Sequence, residues 1–472
     1  MMRKKIVLAG MILGAALLAG CGAKEETTAG TTAGTTAAGG AAVSGGESTE
    51  EKTVYPAGTI TIYGYGQPQY LQEYYDAWLE RNRDIAPDVK IEIVQTEGAA
   101  DSREKITMTS LAGATDDLPD AIFIDPVNLM DLAKGDLLND VTDFVSPLAD
   151  KMVDGACNDA IIDGKNYGLP ESVRPQVLFY NKDIFEEYGI DPETMSTMEG
   201  YIEAGRQLKE KSGGKVYLSY IDPGNKTWRY WGRRGLMPQA NARIWDESGE
   251  VVIGSDEGTK LALGTLDTMY QEGLLLKSAI MEPALYDSIR NKEVATFYIG
   301  AFWDEFMRKN CADTAGQWRV MPAPEFESVK KAGAPVSAYF CLVNKGDNVY
   351  EGLLKKLWYD FTFDIEPRTT WVKSMESQNA PYANPISLEM LEDDFWKEPS
   401  DFYGGQSFRQ MEGEALGNSA QNLVVTPQDA EADEIITAEL ENYVAGNQTM
   451  DQAIQNMDKN LKAKIGKAEL EG

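Results

Sequence analysis

The sequence predicts an α/β protein of two domains, and three observations carry that expectation. Strand-like and helix-like stretches alternate along most of the chain. The apolar run Ala121-Ile122-Phe123-Ile124 lacks the in-out alternation of a one-sided sheet and suits a strand covered by helices on both faces. The length of 472 residues, 43% of them hydrophobic and 25% charged, is ample for two cores.

The chain opens with Arg3, Lys4 and Lys5, an apolar run over 6–18, and then Leu18-Ala19-Gly20-Cys21. A run of about 13 residues falls short of the roughly 20 that a membrane-spanning helix needs. Small residues before a cysteine suit a signal peptidase. Residues 1–21 therefore read as a cleaved leader with a lipobox, and by resemblance to bacterial lipoproteins Cys21 becomes the acylated N-terminus. Residues 22–54 are mainly Ala, Gly, Thr, Ser and Glu, with almost nothing to bury. They read as a disordered tether with an r.m.s. span of roughly 30 Å. The other cysteines, Cys157, Cys311 and Cys341, allow at most one disulfide and are read as buried thiols.

The folded part begins with a β-rich run at 59–63. A helix follows with Tyr70, Leu71, Tyr74, Tyr75, Trp78 and Leu79 at helical spacing, and then Val89, Ile91 and Ile93 alternate with Lys90 and Glu92 as in a strand. A polar helix around 102–111 leads to the covered strand at 121–124, which makes a parallel, helix-covered sheet. Pro170 and Pro175 fix φ and remove backbone donors, so the stretch between them is a stiff extended crossover. An apolar strand comes next, and Asn181 or Asp183 caps a short helix that carries Ile184, Phe185 and Tyr188 on one face and stops at Gly189.

The pattern then restarts as a second domain. It holds a helix at 201–211, a strand at 216–220, a hairpin at 244–253, and a helix capped by Ser255 that buries Ala262, Leu266, Met269 and Tyr270. The run at 294–303 reads as a strand returning to the first domain. A further strand at 339–343 precedes an amphipathic helix with Tyr350, Leu353, Leu354, Leu357, Trp358 and Phe361 on one stripe. The last helix opens on Thr449-x-x-Gln452, a capping box.

One succession of features goes further than periodicity: Gly164-Lys165-Asn166-Tyr167-Gly168-Leu169-Pro170, an apolar strand, Tyr180-Asn181-Lys182-Asp183, and a helix ending in Tyr188-Gly189. Together with Leu118-Pro119-Asp120, the hairpin and helix at 244–273, the segment 291–303 and the closing Gly446-Asn447-Gln448-Thr449, it resembles the extracellular solute-binding proteins of ABC importers, in particular the sugar-binding, maltose-binding-protein-like group. The resemblance implies a two-lobe fold with mostly parallel, helix-covered sheets and a ligand cleft between the lobes. Lobe 1 would comprise 55–172 plus 296–340, and lobe 2 would comprise 173–295 plus 341–472. It implies a monomer without cofactors, anchored by its N-terminal lipid to the outer face of the cell membrane, that captures a carbohydrate and delivers it to permease subunits.

Matching that group's ligand-contacting positions to this chain points to Tyr65, Gln67, Asp125, Arg174, Phe302 and Trp303. The group's Gly-x-Trp stands here as Gly300-Ala301-Phe302-Trp303, which leaves open which aromatic faces the ligand. Structural roles compete: Asp125 as the cap of the next helix, Arg174 as an ion-pair partner, Phe302 as core. The densest cluster of suitable chemistry is Trp228-Arg229-Tyr230-Trp231-Gly232-Arg233-Arg234. Indole faces suit the C–H faces of pyranose rings, and arginine satisfies hydroxyls removed from water. Trp228, Tyr230, Trp231 and Arg233 join the candidates on that ground.

The absence of histidine excludes Ser-His-Asp and Cys-His catalysis and His-based metal sites. No phosphate-binding Walker loop and no EF-hand spacing occurs. The turn Gly64-Tyr65-Gly66-Gln67-Pro68-Gln69 lacks the third glycine of a dinucleotide fingerprint. A net charge of −31 repels phosphate backbones, so nucleic acid is not an expected partner. Two other readings stay open: a lipoprotein enzyme acting on glycans, and a binder of peptides or other solutes on the same fold.

Overall fold

The computed structural model describes residues 53–66, 68–380 and 382–470. The leader, Cys21, most of the tether and Gln67 lie outside the described residues.

Two sheets organise the described chain. The first has five strands in the order Val89–Gln95, Gly58–Gly64, Ala121–Ile124, Val336–Leu342 and Leu169–Arg174. Gly58–Gly64 is parallel to both its neighbours, and Val336–Leu342 is antiparallel to both of its own. In the second sheet Gln176–Asn181 lies between Thr296–Gly300 and Trp318–Pro322, antiparallel to each. A parallel bridge from Tyr217 to Val294 connects this sheet to the parallel pair Ser219–Ile221 and Leu275–Lys277.

The strand sense is thus mixed where mostly parallel sheets were expected. The reason is topological. Leu169–Arg174 leaves the first sheet for the second and Val336–Leu342 returns from it, so two strands crossing one boundary in opposite directions pair antiparallel, with Arg174 opposite Val336.

Both faces of the first sheet are covered, as the apolar run at 121–124 required. On one face Ile60, Ile62, Phe123, Phe340 and Leu342 pack with Trp78, Trp358 and Trp371. On the other, Ile122, Ile124, Tyr339 and Cys341 pack with Ile106 and Leu129. The second sheet buries Val177, Phe179, Phe297 and Ile299 against Trp231, Trp303 and Trp318.

Two placements correct the sequence reading. The strand at 294–303 belongs to the second sheet, where Thr296 pairs with Tyr180 and Gly300 with Gln176. The helix Glu351–Phe363 packs its stripe of Leu353, Leu354, Leu357, Trp358 and Phe361 into the first core, with the Trp358 indole N–H donating to the Pro170 carbonyl at 2.7 Å. An apolar pattern states that a segment is covered; it carries no address for the sheet or helix that covers it.

Local signals fared better because their causes are local. Asn181 caps the helix Lys182–Glu187, accepting from the Ile184 N–H at 3.2 Å. Thr449 and Gln452 form a reciprocal capping box on Met450–Lys464. For Glu257–Gln271 the cap is Asp256, which accepts from the Thr259 N–H at 2.8 Å, whereas the Ser255 hydroxyl turns back to the Val252 carbonyl. Cys311 and Cys341 are buried, Cys157 is half-buried, and all three are free thiols.

Candidate ligand-binding site

The chain crosses between the two cores at Pro175, between Pro322 and Val336, and between Trp396 and Phe402. Polar and aromatic side chains gather where the two lobes face each other. From the first lobe comes Asp125, which ends the strand Ala121–Ile124 and caps the helix Pro126–Lys134. Its Oδ1 accepts from the backbone and side-chain N–H of Asn128 at 3.2 and 2.8 Å. Its Oδ2 is left for the second lobe, where Arg229 Nη2 lies at 3.2 Å and Arg234 Nη2 at 3.8 Å. Asp125 is therefore both a cap and a charge partner. Burial pushes its proton affinity up, but the two guanidiniums and the Asn128 bonds outweigh that and hold the carboxyl below its ordinary range.

Arg229 and Arg234 share a face because Trp228–Leu236 is a π-helix, in which residues five apart fall above one another. Gly232 makes room inside it: a Cβ there would stand 2.3 Å from the Trp228 ring. Both indoles are turned inward. Trp228 is 2% exposed, with its N–H on Asp433 at 2.6 Å, and Trp231 is 0% exposed, with its N–H on the Tyr220 carbonyl at 3.1 Å. Neither ring offers an open face, which corrects the expectation of a tryptophan stacking platform.

Phe302 is the half-buried aromatic at this boundary, and Tyr230, buried at 8% exposure in the second core, stands behind it. Their rings pack 5.7 Å apart, and the guanidiniums of Arg229 and Arg234 lie about the Tyr230 ring at 6.0 and 5.9 Å. Phe302 is half-buried, whereas Trp303 is fully buried between Tyr286 and Phe306. Of the two, Phe302 keeps accessible surface. Tyr65 is half-buried; burial first, then the Asp125 charge, push its phenol above the ordinary range.

The arginines expected as polar anchors are committed elsewhere. Arg174 is buried, with its Nε on Glu412, Nη1 on Glu305 at 2.9 Å and Nη2 on the Ala301 carbonyl at 2.9 Å. Arg233 pairs with Asp429 and, at 2.8 Å, with Asp433. Each holds elements together and has no charge to spare for a ligand. Beside Arg174, burial raises the Glu305 carboxyl to about 7 against the opposing pull of that arginine.

Sequence reasoning missed Glu171, which is buried in the strand Leu169–Arg174 and accepts the Tyr382 hydroxyl. It also missed Glu305, and Arg229 and Arg234 as the pair that faces Asp125. Separations of 104 residues between Asp125 and Arg229 and of 211 between Glu171 and Tyr382 leave no local pattern to read. Away from this boundary, an open hollow lined by Arg206, Lys209, Glu272 and Leu274 has its charges matched internally, Arg206 with Glu272 at 2.7 Å. Among the described residues no cluster of three or more His, Cys, Asp or Glu side chains could hold a metal ion, and no helix is long and apolar enough to cross a membrane.

Two α/β lobes joined by repeated crossings, with charged and aromatic groups meeting between them, define a two-lobed binding-protein fold. The sequence profile of the bacterial extracellular solute-binding proteins matches residues 65–357, and the chain belongs to that family. An arabinooligosaccharide-binding protein of Halalkalibacterium halodurans is 26% identical over 268 residues, 55% of this chain and 57% of that protein. A lactose-binding protein of Rhizobium radiobacter is 24% identical over 402 residues, covering 83% of this chain and 87% of its own. Among solved structures, the ABC transporter associated binding protein of B. animalis subsp. lactis, in complex with beta-1,6-galactobiose, superposes with a TM-score of 0.70 at 20% identity, over 86% of this chain and 97% of that one. Maltose-bound MalE3 of T. maritima gives a TM-score of 0.68 at 19% identity, over 86% and 99%.

Proposed function

We propose that the protein is the substrate-binding component of an ABC importer, which captures a carbohydrate, an oligosaccharide, between its lobes and delivers it to the permease subunits without chemical change. The observation that carries this reading is the boundary itself: the Tyr230–Phe302 aromatic pair beside charged groups contributed by both lobes, Asp125 from one and Arg229 and Arg234 from the other. The accessible part of Phe302, backed by Tyr230, takes the C–H face of a sugar, and the charged rim replaces the water lost by its hydroxyls. Relatives named for arabinooligosaccharides and lactose support the same class.

Lobe closure supplies the signal in this scheme. A ligand shifts an open-closed equilibrium only by its differential affinity, so contacts from both lobes are what turn binding into closure. Tyr65, Asp125, Arg229, Tyr230, Arg234 and Phe302 are the residues assigned to contact, with Gln67 retained from the sequence. The protein acts as a monomer held to the outer face of the membrane by a lipid on Cys21.

The test is a thermal-shift screen of oligosaccharides, followed by chromatography of the mixture. Ligand at 100 times its dissociation constant adds about 2.7 kcal/mol of stability. A shift with intact sugar recovered supports the reading, turnover points to a glycan-acting enzyme, and shifts with peptides alone overturn the carbohydrate assignment.

A further inference from the structure

Arginines in this region are supplied with carboxylates unequally. Arg174 has two, Glu305 and Glu412, and Arg233 has two, Asp429 and Asp433. Arg229 and Arg234 together have one oxygen, Asp125 Oδ2, because Oδ1 is occupied by Asn128. Among the described residues Arg234 meets no acceptor closer than that 3.8 Å contact, although only 16% of its side chain is exposed. Arg229, by contrast, is 45% exposed and opens toward solvent. Two forks of five N–H donors each converge on a single acceptor position beside the Tyr230 ring.

From this shortage of acceptors we infer that the ligand brings its own carboxylate: the site takes an acidic oligosaccharide, one containing a uronic acid, whose carboxylate is held by Arg229 and Arg234 while its ring lies against Phe302, which Tyr230 backs. The inference rests on the carbohydrate reading and narrows it. Arg–carboxylate pairing is bidentate and charge-assisted, so it satisfies donors that a sugar hydroxyl fills one at a time. The electrostatics agree with the geometry. Burial, and then the like charge of Arg229, lower Arg234 to about 10, the condition of a cation short of counter-charge, whereas at Arg229 the lowering by burial is outweighed by Tyr230 and Asp125, so the shortage lies at Arg234. Net negative charge elsewhere does not forbid this, because at about 0.15 M salt the screening length is about 8 Å and distant carboxylates are muted.

The experiment uses the mature protein and oligosaccharide pools from pectin, alginate and glucuronoxylan, each before and after reduction of its carboxyl groups to alcohols, alongside neutral arabino-, galacto- and malto-oligosaccharides. Melting shifts identify the pool, and calorimetry follows with purified acidic and reduced members. The expected result is at least about tenfold tighter binding of an acidic member than of its reduced counterpart, weakening with added salt. Arg234→Gln is expected to remove the difference between the two while the ligand-free melting point holds. Equal affinity for acidic and reduced forms, or a hit confined to neutral sugars, overturns the carboxylate clamp and leaves the carbohydrate reading standing. No shift with any glycan pool overturns both.

Discussion

Arg229 of the second lobe and Asp125 of the first meet at 3.2 Å, the shorter of the two ion pairs that Asp125 makes across the lobes at the candidate site. Arg229 is nearly half exposed, and such a pair contributes about 0–1 kcal/mol. Its weight lies in where it acts. Arg229→Ala is expected to change the urea midpoint little but to increase the radius of gyration of the ligand-free protein in small-angle scattering. Asp125→Ala adds the loss of a helix cap, about 1 kcal/mol. An unchanged radius in Arg229→Ala would show that the pair does not hold the lobes together.

Buried and boundary aromatics should separate by assay. Trp231→Ala empties a fully buried site and is expected to cost about 3–5 kcal/mol of stability in urea unfolding. Phe302→Ala, at a half-buried ring, is expected to cost about 2 kcal/mol of binding, near thirtyfold in affinity by calorimetry. If Trp231→Ala folds with full stability and loses only ligand, the assignment of that ring to the core is wrong.

Removing Arg174 leaves Glu412 buried at 2% exposure without its partner. Arg174→Ala is expected to destabilise the fold by about 3–5 kcal/mol, the scale for breaking a buried pair from one side. A methionine at 174 combined with Glu412→Leu should recover much of that loss in chemical denaturation. A loss of affinity alone, with stability intact, would return Arg174 to the ligand.

Protonation of Glu305 sets a pH dependence with a definite sign. Its folded-state value of about 7 stands above the ordinary 4.5, so between those values the folded protein binds the extra proton. Stability contributed by this group therefore falls as pH rises from about 4.5 to 7 and is lowest above it. Denaturation midpoints at pH 5 and pH 8 are expected to differ in that direction, and Glu305→Gln should flatten the difference. A slope identical in the variant would assign the titration to another group.

At the N-terminus, Cys21→Ser is expected to release the protein from the membrane fraction or to leave the leader uncleaved, read by fractionation and mass. Unchanged retention and mass would sink the anchoring proposal.

Much of the fold was legible where the cause is local. The capping box at Thr449 and Gln452, the cap at Asn181 and the stripe from Leu353 to Phe361 are each set by neighbours a few residues apart. Sheet membership was not, since the partner of Thr296 is Tyr180, far back in the chain. The site was half legible. Asp125, Tyr230 and Phe302 came from motif and chemistry, but chemistry alone gave no way to choose among Arg229, Arg233 and Arg234. The π-helix that sets which of these side chains faces the cleft is not announced by any local pattern in the sequence.

Interleaving of the lobes also fixes when each becomes viable. The first core needs residues from Ile60 to Trp396, and the second needs residues from Val177 to Ala468. A polypeptide delivered N-terminus first cannot finish either half until most of its length has emerged, and the second waits almost for the final turn of Met450–Lys464. Contacts this distant in sequence make assembly slow relative to local helix formation. The growing chain accordingly emerges for most of its length without a closed core, its apolar segments uncovered until residues near Ala468 arrive.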